Sequence, residues 1–350
     1  MRKKEKVILL SVTIVFAVLL IIGFLFHNEI RSLSTLTMID NHPMYQMTYY
    51  GDYGFDDFLK IGANSDSDIE NFVTQRLLKG LPINLGVTGD GCTAFVAKNE
   101  KGEIIFGRNF DFDFAPSLQV FTAANNGFKS VSTVNLSYAG YSEDNLPDGL
   151  SANSFLTLSS PFLPFDGMNE KGLAIALLAV PEIQYTPDAN KVTLNTTTAI
   201  RLVLDQAANV DEAVELLRSY NIYFSGDIYC HYLIADAQGN SVIVEYWDGE
   251  LQTIKPSGEY QIASNFIVYN DLNIGDGYCE FERYNIVDEK MRVNNGILTE
   301  EEAIKLLTEV GVYFDGEDRL QWSVLYNLTT LEGKIFAGRN TDNVIEFQFD

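Results

Sequence analysis

Three cysteines are the residues of this sequence best suited to nucleophilic chemistry: Cys92, Cys230 and Cys279. The odd count leaves one thiol unpaired if the other two form a disulfide in an oxidising compartment, and Cys92 is the natural one to stay free. Gly91 precedes Cys92, and its flexible backbone could admit attack on the peptide bond between them. A Cys230–Cys279 disulfide is only a hypothesis, because two buried free thiols would give the same sequence.

The histidines offer a different chemistry, a papain-like pair of cysteine and histidine. His231 stands beside Cys230 at the start of an apolar strand-like run, where a packed histidine is commoner than a catalytic one. His27 and His42 lie at the end of the apolar N-terminal run and in the segment after it. No spacing of Cys, His and carboxylates resembles a zinc site. The sequence therefore implies no metal and no organic cofactor.

Two longer motifs accompany Cys92. Residues 107–112 read Gly-Arg-Asn-Phe-Asp-Phe, and residues 165–173 read Phe-Asp-Gly-Met-Asn-Glu-Lys-Gly-Leu. With Cys92-Thr93 they resemble, in order, the motifs of the choloylglycine hydrolase family, the linear amide C–N hydrolases. That family includes bile salt hydrolases and penicillin V acylases and is related to acid ceramidase-like amidases. The resemblance runs from about Cys92 to the C-terminus, and it implies an N-terminal-nucleophile (Ntn) hydrolase with a four-layer αββα sandwich.

The resemblance also assigns roles to single residues. The family nucleophile falls on Cys92, and the active-site arginine and aspartate fall on Arg108 and Asp111. The side-chain oxyanion donor resembles Asn265, and a later arginine resembles Arg283, although the spacing between these two is shorter than in bile salt hydrolases. The resemblance thus implies that the Gly91–Cys92 bond is cleaved to expose Cys92 as the N-terminal residue.

A second oxyanion position, often Asn or Tyr in relatives, falls on Ala179, where only the backbone N–H could help. Structural interpretations stay open beside these roles. Arg108 and Asp111 could form an ion pair without catalytic function, and Arg283 could be a helix residue paired with a nearby acid. Asp166 and Asn169 are interpreted as turn-building residues rather than catalysts.

The implied reaction is hydrolysis of a linear amide. A free α-amine, with an ordinary pKa of about 7.7 to 8.0, can accept the thiol proton at neutral pH without a histidine. The thiolate would attack the amide carbonyl, and water would hydrolyse the thioester. An N-acyl amide, a bile salt or a phenoxyacyl penicillin would suit this chemistry. Acyl transfer through the same thioester and a non-enzymatic binding protein on the same scaffold remain alternatives.

The N-terminus predicts a membrane anchor. Residues 7–26 form an uncharged apolar run of about the length that crosses a bilayer core. The bases at positions 2, 3, 4 and 6 precede this run, so the positive-inside bias leaves residues 1–6 in the cytoplasm and everything after the run outside. A cleavable signal peptide is the alternative, although its apolar region would be shorter and no small-residue cleavage site follows.

Length and charge limit the remaining possibilities. The chain has 350 residues and a formal net charge of −24, which makes nucleic acid an unsuitable partner. We interpret the acidity as solubility of an exported domain, and it does not identify the substrate. The predicted organisation is a tail at 1–6, the anchor at 7–26, an extracytoplasmic spacer or pro-segment at 27–91 and the catalytic domain at 92–350. The oligomeric state is not predicted.

The elements that carry these residues follow from periodicity. Strand-like runs at 93–97 and 103–107, joined by a turn at 99–102, would place Cys92 at the start of the first strand and Arg108 just past the second. Strands alternating with paired helices predict an α+β domain in which antiparallel sheets carry helices on their outer faces. Further strands are predicted at 130–136, 172–180, 232–235, 241–246, 251–254, 322–327, 334–338 and 344–347, and helices at 69–79, 197–208, 211–220, 281–293 and 299–309.

Overall fold

The structure, a computed structural model, describes residues 3–86, 91–149, 151, 153–275, 277 and 279–349. The helices are α1 Lys3–Leu25, α2 His27–Leu33, α3 Phe55–Ile61, α4 Asp66–Arg76, α5 Thr196–Gln206, α6 Val210–Arg218, α7 Glu280–Val293 and α8 Glu300–Glu309. The strands are β1 Thr37–Asp40, β2 Met44–Thr48, β3 Cys92–Lys98, β4 Ile104–Asp111, β5 Ser117–Ala123, β6 Lys129–Asn135, β7 Pro164–Asn169, β8 Ala174–Ala179, β9 Thr193–Asn195, β10 Asn221–Tyr223, β11 Cys230–Ala235, β12 Ser241–Trp247, β13 Glu250–Ile254, β14 Gln261–Ala263, β15 Phe266–Ile267, β16 Ile274–Gly275, β17 Tyr313–Phe314, β18 Glu317–Asp318, β19 Leu320–Asn327, β20 Glu332–Ala337 and β21 Ile345–Gln348.

Two large sheets organise these elements. One has the strand order β1-β2-β5-β6-β7-β8-β11-β12-β13, and the other has the order β14-β3-β4-β19-β20-β21. Neighbouring strands are antiparallel in both sheets, except that β2 runs parallel to β5. Helices α5 and α6 pack on the larger sheet, and α7 and α8 pack on the smaller one. The predicted α+β class and the four-layer αββα arrangement are confirmed.

Alternation along the central strands explains why two sheets face each other. On β3, Ala94 and Val96 belong to the apolar core that both sheets share, whereas Phe95 and Ala97 belong to a second core beneath α7 and α8. Successive side chains of a strand point to opposite faces, and this strand is buried on both. A strand of this kind needs a sheet on one side and helices on the other, which is the observed arrangement.

Residues 27–86 contain more structure than the predicted spacer with one helix. Strand β2 extends the larger sheet by pairing with β5, and Phe58 of α3 is fully buried. The Phe58 ring lies 5.2 Å from the rings of both Phe72 and Phe162. Aromatic rings at these distances pack favourably. Periodicity did not reveal this segment, because its apolar residues pack against parts of the chain that follow Cys92.

The N-terminal residues form helix α1, Lys3–Leu25. Within the part of the chain that the structure describes, we find no helix with the length and apolar character that a membrane crossing requires. The predicted span over residues 7–26 is therefore not supported by the structure.

Most predicted elements of the catalytic domain are present, with bounds shifted by a few residues. Strands β5 and β7 are among those that were not predicted, and Asp166 and Asn169, interpreted as turn-building residues, lie on the buried strand β7. The structure also corrects the disulfide hypothesis. Cys230 is a buried free thiol at the start of β11, and Cys279 is a half-buried free thiol just before α7.

Candidate active site

Strand register places Cys92 beside Arg108. In the β3–β4 hairpin, Cys92 pairs with Phe110 and Ala94 pairs with Arg108. Residues two apart on a strand lie on the same face, so Cys92, Ala94 and Arg108 all point into the space between the sheets. Arg108 Nη2 lies 3.6 Å from Cys92 Sγ and also donates to the carbonyl of Leu177 at 3.3 Å. Both Cys92 and Arg108 are buried.

The surroundings of the Cys92 thiol act on its pKa in opposite directions. Burial raises the pKa above its ordinary value, because the thiolate loses its hydration. The positive charges of Arg108 and Arg283 and a hydrogen bond from the backbone N–H of Ala179 lower the pKa, whereas Asp111 raises it. Ala179, predicted as a backbone oxyanion donor, therefore lies close enough to Cys92 for its N–H to act on the thiol.

Asn265 and Arg283 hold the backbone of Cys92. The backbone N–H of Cys92 donates to Asn265 Oδ1 at 2.6 Å, and Arg283 Nη2 donates to the same oxygen at 2.7 Å. Arg283 Nη1 donates to the carbonyl of Cys92 and to the hydroxyl of Thr93. The structural interpretation of Arg283 as the partner of a nearby acid is thus replaced by direct contact with Cys92. Thr93, which the sequence offered only as part of a motif, is thus a site residue in contact with Arg283.

The nitrogen of the Asn265 side-chain amide contacts Ala179 rather than Cys92. Asn265 Nδ2 donates to the carbonyl of Ala179 at 2.8 Å. Two donors converge on Oδ1, so this orientation of the amide is the one that satisfies all of its partners. In this state Asn265 orients the nitrogen of Cys92. Its predicted role as an oxyanion donor would require Nδ2 to exchange Ala179 for substrate.

Asp111 is the last residue of β4 and lies next to Gly91. Its backbone N–H donates to the carbonyl of Gly91 at 2.9 Å, and its Oδ1 accepts from the backbone N–H of Val312 at 2.8 Å. Among the described residues, its buried Oδ2 has no hydrogen-bond partner. Burial raises the pKa of Asp111 to about 6, against the opposing effects of Arg283, the Val312 hydrogen bond and Arg108. Asp111 therefore presents one free carboxylate oxygen near the Gly91–Cys92 bond.

The structure corrects the interpretation of Asp166 as a turn-building residue. This aspartate lies on β7 and is fully buried, and its Oδ2 is 3.4 Å from Arg108 Nη1. Asn169, by contrast, accepts from the backbone N–H groups of Lys171 and Leu173, as a turn-building residue does. No local pattern distinguished these two polar residues, because Asp166 meets Arg108 across the two sheets.

His231 is structural. Its Nδ1 lies 2.9 Å from Glu245 Oε1, and Glu245 also accepts from the backbone N–H groups of Val268 and Tyr269. This pair fixes the segment that follows Asn265. Across the residues that the structure describes, no cluster of three or more His, Cys, Asp or Glu side chains could hold a metal ion.

Taken together, the five predicted side chains converge on one point at the start of β3. Cys92 supplies the sulfur, with Arg108 between the sheets and with Asp111 and Arg283 at the Gly91 side. The backbone N–H of Cys92 donates a hydrogen bond to Asn265. Such an arrangement can activate a thiol and stabilise negative charge beside it.

Comparisons with known proteins point to one family. Residues 92–266 match the model of the linear amide C–N hydrolases, choloylglycine hydrolase family. A penicillin V acylase from Pectobacterium atrosepticum is 37% identical over 111 residues, which cover 29% of this chain and 29% of the acylase. A bile salt hydrolase/transferase from Clostridium perfringens is 28% identical over 163 residues, 44% of this chain and 47% of that protein. The matches thus span less than half the length of these two relatives.

A solved structure shows the same fold. A mutant of the conjugated bile acid hydrolase from Clostridium perfringens superimposes with a TM-score of 0.55 at 17% identity, over 74% of this chain and 92% of that one. The family model begins at Cys92, covers half of the chain and contains Arg108, Asp111, Ala179 and Asn265. The chain therefore belongs to the choloylglycine hydrolase family of linear amide C–N hydrolases.

Proposed function

We propose that this protein hydrolyses a linear amide with Cys92 as its N-terminal nucleophile, after cleavage of the Gly91–Cys92 bond. The observation that carries the proposal is the pair of contacts on Cys92. Its nitrogen donates to Asn265 at 2.6 Å, and its sulfur accepts from Arg108 at 3.6 Å. Once the bond is cleaved, the same nitrogen becomes an amine, held beside the thiol whose proton it accepts.

The reaction uses each neighbour for one task. The amine takes the thiol proton, and Arg108 and Arg283 stabilise the thiolate that forms. Sulfur then attacks the amide carbonyl of the substrate, and the developing oxyanion is met by Asn265 Nδ2 and the N–H of Ala179. Asn265 Nδ2 reaches the substrate by giving up its present partner, the carbonyl of Ala179. Water hydrolyses the thioester and restores the thiol.

Hydrogen bonds hold both sides of the intact Gly91–Cys92 peptide bond in a position that suits cleavage. The carbonyl of Gly91 accepts from the backbone N–H of Asp111, and the nitrogen of Cys92 donates to Asn265. Attack by Cys92 Sγ on the Gly91 carbonyl forms a thioester as the C–N bond breaks. The free Oδ2 of Asp111 is suited to carry the thiol proton to the departing nitrogen. Hydrolysis of the thioester then releases Cys92 with a free amine.

The substrate class is proposed from the family alone. An N-acyl amide, a bile salt or a penicillin of the V type fits the reaction. Acyl transfer is the second candidate, because the related Clostridium perfringens protein is named a hydrolase/transferase and an amine can capture the same thioester. Product analysis with and without a competing amine separates hydrolysis from transfer.

We also propose that the catalytic domain lies outside the cytoplasm, attached to the membrane by the N-terminal run. The support comes from the sequence: an apolar stretch at 7–26 that follows a basic tail. Described apolar side chains of α1, such as Phe16 and Phe24, are exposed. Protease protection of residues 92–350 in sealed, right-side-out cells or vesicles would contradict this location.

The decisive experiment compares the purified full chain with its Cys92→Ala variant. The wild type should yield two pieces by intact mass, the second beginning with a free Cys92 amine, and should release amine from an N-acyl substrate. The variant should stay a single 39.2 kDa chain without activity. Amide hydrolysis by the Cys92→Ala variant would refute Cys92 as the nucleophile. An unbroken wild-type chain that still hydrolyses amides would refute the cleavage.

A further inference from the structure

We propose that Asp166 is a positioning residue that acts through Arg108, holding its guanidinium against the sulfur of Cys92. The inference rests on the proposed function, and it adds a residue from the opposite sheet to the site. Arg108 lies on β4 of the smaller sheet, whereas Asp166 lies on β7 of the larger one. Their contact therefore bridges the two sheets, and it is made by the same guanidinium that contacts Cys92.

The geometry fixes Arg108 from several sides. One guanidinium nitrogen, Nη2, contacts Cys92 Sγ at 3.6 Å, and the other, Nη1, lies 3.4 Å from Asp166 Oδ2. The guanidinium also lies near the rings of Phe110 and Trp322, at 4.8 and 5.1 Å from their centroids. Among the described residues, Nε and Nη1 have no acceptor with hydrogen-bond geometry. The charge of Asp166 is what holds the Nη1 side.

Asp166 is itself held rigidly. Trp322 Nε1 donates to its Oδ2 at 3.0 Å, and the hydroxyl of Tyr326 donates to its Oδ1 at 2.8 Å. Both donors lie on β19, the neighbour of β4 in the smaller sheet. Hydrogen bonds to a charged, fully buried acceptor are strong. The carboxylate therefore has one position, and it gives the Arg108 guanidinium one position as well.

Electrostatics and positioning predict opposite results when Asp166 is neutralised. If Arg108 stayed in place, removal of a negative charge near it would lower the pKa of the Cys92 thiol, because the guanidinium charge would be less compensated. If Asp166 holds Arg108 against the sulfur, its loss lets the guanidinium move away, and the thiol pKa rises. An upward shift is therefore the signature of positioning, and a purely structural role would not produce it.

The test is Asp166→Asn, studied in the full-length protein. We expect the pH profile of Cys92 alkylation by iodoacetamide, read by peptide mass spectrometry, to move up by about one pH unit. We expect turnover of an N-acyl substrate to fall about 10²-fold with little change in KM, as for a small misplacement of a catalytic group. In an Arg108→Gln background, Asp166→Asn should add no further change in either measurement.

Asp205→Asn is the matched control. Asp205 is also a buried aspartate paired with a buried arginine, 3.2 Å from Arg201 Nη1, but Arg201 contacts Thr122, Ser130 and Ser132 instead of Cys92. The control should lose stability without moving the alkylation profile. Should Asp166→Asn fail to fold, Tyr326→Phe keeps the charge, removes one hydrogen bond from Asp166 and should give a smaller upward shift.

The inference is overturned if the alkylation profile of Asp166→Asn stays in place or moves down, or if its effect persists undiminished without Arg108. Alkylation reports on the thiol whether or not the chain is cleaved or hydrolyses amides. A failure of the proposed function, seen as an inactive wild type, is therefore distinguishable from a failure of this inference.

Discussion

Tyr53 connects the segment before Cys92 to the catalytic domain, and its hydroxyl should govern how tightly the two pieces stay together after the proposed cleavage. The hydroxyl lies 2.9 and 2.8 Å from the two carboxylate oxygens of Asp205 on α5. Both residues are buried, and Asp205 also pairs with Arg201. A hydrogen bond to a charged group contributes about 1.5 to 3 kcal/mol. The Tyr53→Phe change should therefore weaken association about 10- to 100-fold.

The assay follows the cleaved protein on dilution by native mass spectrometry or size exclusion, with the dissociation constant as the result. Tyr50→Phe is the control, because the Tyr50 ring packs on Arg31 of the same segment, 3.6 Å from the guanidinium carbon. This control should stay within about twofold of wild type, since the stacked ring is retained. Equal dissociation constants for Tyr53→Phe and the wild type would refute the reasoning.

The effect of Tyr53→Phe should also depend on pH. Burial raises the pKa of Asp205 to about 6, and the Arg201 charge and the Tyr53 hydroxyl lower it. A hydrogen bond that lowers the pKa favours the charged carboxylate, so its contribution is present above that pKa and is lost as pH falls through about 6. The difference between the two proteins should shrink from pH 7.5 to pH 5. A difference that grows on acidification would contradict this assignment.

Two more predictions concern the site and the core. Asn265→Ala should lower turnover about 10²- to 10³-fold without unfolding the protein, and wild-type turnover in an N-acyl amide assay would refute the role of Asn265. Phe58→Ala should lower the free energy of unfolding by about 3 to 5 kcal/mol, because the fully buried ring lies among three other phenylalanines. Urea unfolding checks this value, and exposed Val293→Ala should change it by only about 0.5 kcal/mol.

The sequence determined the parts of this protein that depend on local order. Alternating apolar residues located both strands of the hairpin that starts at Cys92, and the motifs at 107–112 and 165–173 indicated the family. The predicted turn paired these two strands, but their register, with Ala94 opposite Arg108 and hence Arg108 beside Cys92, was seen only in the structure. Helix α8 was predicted at 299–309 from the spacing of its apolar residues, and the side chain of Thr299 is its N-terminal cap.

Contacts between distant segments were decided only by the tertiary structure. Asp166 and Asn169 lie three residues apart in one motif, yet one meets Arg108 across the sheets and the other builds a turn. The segment before Cys92 lacks clear periodicity because its strand β2 and the Phe58 ring are stabilised by partners later in the chain. The same reason applies to the site: Cys92 could be named from the sequence, but which atoms hold its nitrogen and sulfur depends on packing between two sheets and α7.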